Sequence, residues 1–156
     1  MIRLVRAHAS DADALTDISR RAFDNDVAFG APGPGGPPGY DSVEWQRRTI
    51  AGSDYYCVYE DDTLIGGVII GGGSDGEHEL WRLFLEPDRQ NQGVGSQVLG
   101  LVWAQYPLVT RWRLDTPNWN DRTRRFYASN GFEEVGSTAD GSVICERRSR
   151  PPRPVL

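Results

Sequence analysis

Gly93 and Gly95 lie in "LEPDRQNQGVGSQVLG", residues 85–100, between an apolar run that ends before Pro87 and a stretch with helical spacing. Glycine weakens a helix start, so two of them there need a reason. The first turn of a helix carries main-chain N–H groups without intrahelical partners and a partial positive charge. It is therefore a natural anion site. Side chains beyond Cβ would hold an anion away from those donors. Gly93 and Gly95 remove that obstruction, so that Gln90, Asn91, Gln92, Gly93, Val94, Gly95 and Ser96 can wrap a phosphate with main-chain N–H groups. The chemistry on offer is anion binding, although glycine before a helix is also ordinary turn chemistry.

Two familiar phosphate sites do not fit. A dinucleotide fingerprint needs a third glycine where Val98 or Leu99 stands, and an acidic ribose partner about twenty residues on is not evident. A triphosphate loop needs a lysine, and the chain has none: all 17 basic residues are arginine. The same absence rules out a lysine Schiff base. Net charge is -5, so no general basic field draws the protein to nucleic acid or an anionic membrane. Cys57 and Cys145 fall inside strand-like runs and read as reduced core thiols. His8 and His78 stand in no metal-ligand spacing, so no metal is expected. The opening "MIRLVRAHAS" lacks a long apolar region and no run approaches membrane-spanning length, so the expected setting is the cytoplasm.

The elements that must position the glycine turn read as one α/β domain over residues 1–148, with a frayed tail at 149–156. "MIRLVRA" predicts a strand, and Ser10 an N-cap for a helix over "DADALTDISRRAFDNDV". "FGAPGPGGPPGY" excludes helix and strand and reads as a loop belonging to a binding site. A short helix, "DSVEWQRRTIAG", follows with Asp41 or Ser42 as cap. "DYYCVYE" and "TLIGGVIIGGG" predict a hairpin, and "GSDGEHELWRLFLEP" a third strand. A helix from about Gly93 to Gln105, the strand "LVTRWRLDTP", a helix from the Asn120 cap to Gly131, and a closing strand pair complete the chain. Strand–helix–strand around residues 79–116 implies a parallel pair joined by a right-handed crossover. The result is a mixed, mostly antiparallel sheet with helices on both faces.

Two ordered motifs resemble those of the Gcn5-related N-acetyltransferase (GNAT) family. "QNQGVG" matches its [QR]-x-x-G-x-[GA] signature after a strand and a proline, and "NDRTRRFYASNGFEEVG" matches its N…(F/L)Y-x-x-x-G-F motif. The resemblance covers roughly Glu77 to Val135; the preceding half, which in that family shapes the acceptor pocket, matches only in order of elements. It implies a splayed parallel strand pair with acetyl-CoA as co-substrate. The pyrophosphate would lie on Gln90 to Ser96, and the pantetheine arm along the main chain of Leu83, Phe84 and Leu85. Asn120 would cap the last helix at the cleft and touch the cofactor, a role that capping alone also explains.

The resemblance assigns Tyr127 as the acid that protonates the departing thiolate, and Glu79 as the base that takes a proton from the acceptor ammonium, directly or through a water. Alternation would put Glu79 on one face with Trp81 and Leu83. Tyr40, Trp45, Trp81 and Trp119 are candidates for the acceptor wall, and Asp24, Asp26, Asp41 and Glu79 would suit a cationic acceptor. Without a cysteine–histidine pair, direct transfer in a ternary complex is expected, with no acetyl-enzyme. The leading expectation is an N-acetyltransferase acting on a small-molecule amine, with a homodimer possible. The rivals are a protein or peptide N-acetyltransferase and a non-catalytic acyl-CoA-binding module.

Overall fold

The computed structural model describes residues 1–73 and 76–149. Ser74, Asp75 and the tail beyond Ser149 lie outside the described residues; Ser149 itself donates its N–H to the Thr110 carbonyl at 2.8 Å. The chain runs β1 (Ile2–Arg6), α1 (Ala12–Asp24), α2 (Val43–Gly52), β2 (Asp54–Glu60), β3 (Thr63–Gly71), β4 (Glu77–Leu85), α3 (Val94–Gln105), β5 (Arg111–Pro117), α4 (Asp121–Ser129), β6 (Glu133–Ser137) and β7 (Ser142–Arg148). The seven strands form one sheet in the order β1-β2-β3-β4-β5-β7-β6, and only β4 and β5 are parallel.

That parallel pair holds over three residues: Glu77 opposite Arg111, His78 opposite Trp112, Glu79 opposite Arg113. Beyond Glu79 the strands part. At the same place the β3–β4 register slips, with Ile69 opposite Arg82 but Ile70 opposite Leu80, so Trp81 has no partner. A bulge bends and twists its strand, and here it turns β4 away from β5. It also breaks the expected alternation. Trp81 stays with Glu79, whose carboxylate accepts its indole N–H at 3.0 Å. Leu83, opposite Val68, moves to the other face, and Arg82 takes the place on the Glu79 side.

Alternating strand residues supply two cores. One face packs Tyr55, Cys57, Ile69 and Phe84 against Ala12, Leu15, Ile18 and Ala22 of α1 and Ile50 of α2. The other packs Tyr56, Val58, Val68, Ile70 and Trp112 against Val94, Val98, Leu99 and Val102 of α3, with Phe126 and Tyr127 of α4 at its edge. Local signals mostly act as expected. The Ser42 hydroxyl accepts the Trp45 N–H at 3.1 Å, and Asn120 accepts that of Thr123 at 3.2 Å. Ser10 is not the cap of α1. Residues Ala9–Asp11 form a tight 3-10 turn, and the Asp11 carboxylate reaches back to the His8 N–H at 2.8 Å, which starts the helix at Ala12.

Trp112 is 1% exposed, and its ring meets those of His78, Tyr106 and Trp103 at the closed end of the cleft. Trp112→Ala should cost about 3–5 kcal/mol, the range for emptying a large buried site. Urea unfolding measures it; a loss below about 1 kcal/mol would show that these rings do not hold the strand pair together.

Candidate active site

At the head of α3, Gly93 adopts φ 79°, a conformation that favours glycine, and the residue two before it, Asn91, has φ 59°. The turn this makes leaves its donors free. Among the described residues no acceptor meets a main-chain N–H from Asn91 to Ser96, and the first intrahelical bond at this end is Gln97 N–H to the Gly93 carbonyl at 3.2 Å. Gly95 has a second reason to be glycine: a Cβ there would stand 2.9 Å from the Phe126 ring, so its absence also lets α3 and α4 approach.

These donors border a cavity of about 260 Å³ between the glycine turn, the end of β4, α1 and α4. Of the sequence-predicted residues it gathers Leu83, Phe84, Leu85, Gln90, Asn91, Gly93, Gly95, Ser96 and Tyr127. Three behave differently. The Gln92 side chain is exposed and donates to the Asp88 carbonyl at 2.8 Å, and Val94 is buried in the α3 core, so neither lines the cavity. Asn120, 2% exposed, caps α4 and borders a second, larger cavity instead.

That second cavity, about 980 Å³, fills the gap between the parted strands and runs under the loop of residues 31–38. Glu79, Trp45, Trp81 and Trp119 line it, and Tyr40 does not. The two spaces share Phe23, Asp26, Leu83, Thr123 and Tyr127, so Tyr127 stands at their junction. Its phenol makes no hydrogen bond among the described residues, and burial pushes its pKa well above the usual phenol range. It therefore keeps its proton through neutral and mildly alkaline solution, as an acid must. Cys57 and Cys145 are buried and unpaired, and burial pushes the Cys57 thiol up to about 12, so it is a poor nucleophile.

Sequence reasoning missed Arg122. Its guanidinium donates to the Gln90 side chain and, at 2.9 Å, to Asp26, while lying 3.7 Å from the centre of the Phe29 ring. Gln90 in turn donates to the Leu85 carbonyl at 3.1 Å. One arginine thus ties α4 to the glycine turn, the end of β4 and the segment after α1. Helical spacing could have found it, because Arg122 precedes Phe126 by one turn, whereas Arg124 turns away to pair with Glu134 at 2.7 and 2.9 Å.

The expectation of an acidic wall needs correction. Asp24 accepts the Tyr40 hydroxyl at 2.9 Å, Asp41 is exposed outside both cavities, and Asp26 is already paired with Arg122. Only Glu79 of that set faces the larger cavity unpaired by a cation. Among the described residues no cluster of histidine, cysteine, aspartate or glutamate is arranged to hold a metal, and no helix is long and apolar enough to cross a membrane.

Residues 51–134 match the sequence model of the acetyltransferase (GNAT) domain, more than half of the chain. The chain belongs to the GNAT acetyltransferase family. A curated relative, uncharacterized protein YrkN of Bacillus subtilis (strain 168), is 28% identical over 102 residues, 64% of this chain and 55% of that protein. The match thus spans about half the length of the relative. Two solved structures share the fold: PaiA N-acetyltransferase from Thermoplasma acidophilum in complex with coenzyme A and an acetyltransferase from Thermus thermophilus. The first gives a TM-score of 0.78 at 20% identity over 96% of this chain and 99% of that one. The second gives 0.80 at 18% identity over 96% and 97%. The GNAT fold's mixed sheet and parted parallel pair are those described above.

Burial raises the pKa of Asp26, and Arg122 counters part of that rise. Arg122→Gln removes the counter-charge, so the folded-state pKa of Asp26 climbs further above its unfolded value. A carboxylate raised in this way destabilises the fold at neutral pH, and the penalty fades as pH falls through the folded pKa. Arg122→Gln should therefore lose about 1–3 kcal/mol at pH 7. That deficit against the parent protein should narrow on acidification toward pH 5, as followed by urea unfolding. A deficit independent of pH would mean the pair is not the source.

Proposed function

We propose that this protein transfers an acetyl group from acetyl-CoA to the amine of a small molecule, directly and within a ternary complex. The observation that carries the reading is the run of unpaired main-chain donors from Asn91 to Ser96, opening into the same cavity as the Tyr127 phenol. Such a cradle suits a pyrophosphate, and the turn has the glycine geometry that lets it approach. The neighbour with coenzyme A bound supports the same ligand here. Acetyl-CoA supplies an activated thioester; the chain's residues do the rest.

On this reading the β4 edge, unpaired with β5 beyond Glu79, receives the extended pantetheine arm as a strand would be received. Tyr127, at the junction of the two cavities, donates its proton to the sulfur as the C–S bond breaks and recovers one from the nitrogen, which sheds its second proton as the tetrahedral adduct collapses to the amide. Glu79, in the larger cavity, takes the proton from the acceptor ammonium so that nitrogen can form the new C–N bond, directly or through a water. The Trp81 indole N–H steadies that carboxylate. The acceptor space is bordered by the loop of residues 31–38, which favours a small molecule over a folded protein. Buried thiols with no histidine partner favour direct transfer over an acetyl-enzyme.

Release of free thiol from acetyl-CoA in the presence of an amine panel tests the activity. Tyr127→Phe should lower kcat by about 10²–10⁴-fold while calorimetry shows coenzyme A affinity retained, and Glu79→Gln should lose most at mildly acidic pH, where the amine is most fully protonated. Unchanged turnover in Tyr127→Phe would remove the acid from this scheme.

A further inference from the structure

The larger cavity contains two arginines for which the proposed proton transfers have no use: Arg113, opposite Glu79 across the parallel pair and without an ion-pair partner among the described residues, and Arg82, which lies deeper under the loop's edge. Arg82 follows the bulge at Trp81 on β4, and its side chain lies under the Gly/Pro loop. The guanidinium stacks 4.0 Å from the centre of the Trp45 ring, and Nη2 donates to the Pro38 carbonyl. Nη1 is buried without a hydrogen-bond partner, and no carboxylate comes within ion-pair distance among the described residues. Arg111, Arg122 and Arg124 each have an acidic partner. Burial holds the Arg82 pKa down to about 10, so it is still a cation at neutral pH. Burying one guanidinium nitrogen of a partly exposed arginine without a partner has a cost, and a planar fork of donors is matched best by a carboxylate.

The bulge decides what stands beside it. In a regular strand residues 79 and 82 would point to opposite faces. The unpaired Trp81 puts Glu79, opposite Gly71, on the same face as Arg82, opposite Ile69, so one cavity offers an acid and a cation a few residues apart. Asp115 and Asp140 line it too, and neither has an ion-pair partner among the described residues. An amine alone would meet Glu79 and leave Arg82 unmatched. We propose that the acceptor is a small amino acid-like molecule whose carboxylate binds Arg82 under the loop while its amine faces Glu79. This rests on the acetyltransferase reading and adds the acceptor's chemical class, an amine that also bears a carboxylate.

Thiol-release rates with proteinogenic amino acids, each beside the amine left by removing its carboxylate, test the inference. The parent protein should favour the carboxylate-bearing member by about 10–100-fold in kcat/KM, the worth of a charge-assisted hydrogen bond. Arg82→Gln should collapse that preference toward unity through KM, and Arg82→Lys should restore part of it. Equal or reversed preference in the parent protein would overturn the proposal, whether or not the variants fold. So would an equal loss for both members in Arg82→Gln, or turnover of no member of either set by a protein that binds acetyl-CoA. Failure to bind acetyl-CoA at all would instead defeat the acetyltransferase reading, which calorimetry without any acceptor shows separately.

Discussion

A strand inside a sheet normally has hydrogen bonds along both edges, and β4 has them along one. Its pairing with β5 stops at Glu79, where the bulge at Trp81 turns it aside, while its pairing with β3 continues to Leu85. The gap is closed at one end by the Trp112 aromatic cluster and flanked by helices on both faces of the sheet. At its other end stand the unpaired N–H groups at the head of α3. Most of the turn is open to solvent, so a bound anion would replace water on these donors. Their concentration around one continuous space is the physical case for an extended ligand with an anion at one end.

Arg122 maintains that arrangement. The glycine turn, the end of β4 and the first turn of α4 come from distant parts of the chain, and Gln90 and Arg122 bind them together. Tyr127 sits little more than a turn along α4 from Arg122, with its ring against Phe126 and Phe132. Its place at the junction therefore depends on the same contacts that set the turn. Burial keeps the phenol protonated and needs no charged neighbour to do so.

Much of this was legible in the sequence, because local rules governed it. Glycines at a helix start, Ser42 and Asn120 as caps, and the order of strands and helices all follow from short-range chemistry. The bulge was not legible. Nothing local marks Trp81 as the extra residue; it is set by the register against β3, and it reversed the expected placing of Leu83. The acidic wall failed for a related reason. Which carboxylates are spent on Tyr40 or Arg122 is a matter of tertiary pairing between segments that composition cannot relate. Arg82 escaped notice because an arginine in a strand reads as a solvated edge until a loop is found lying over it.

The central claim concerns the main chain, so its most direct test observes the main chain. Amide proton shifts of the protein followed by NMR during titration with coenzyme A would report on Asn91 to Ser96 individually. The account predicts large, saturable downfield shifts in this segment, with much weaker effects from pantetheine, which lacks the diphosphate. Binding of coenzyme A that left those amides unmoved would contradict it.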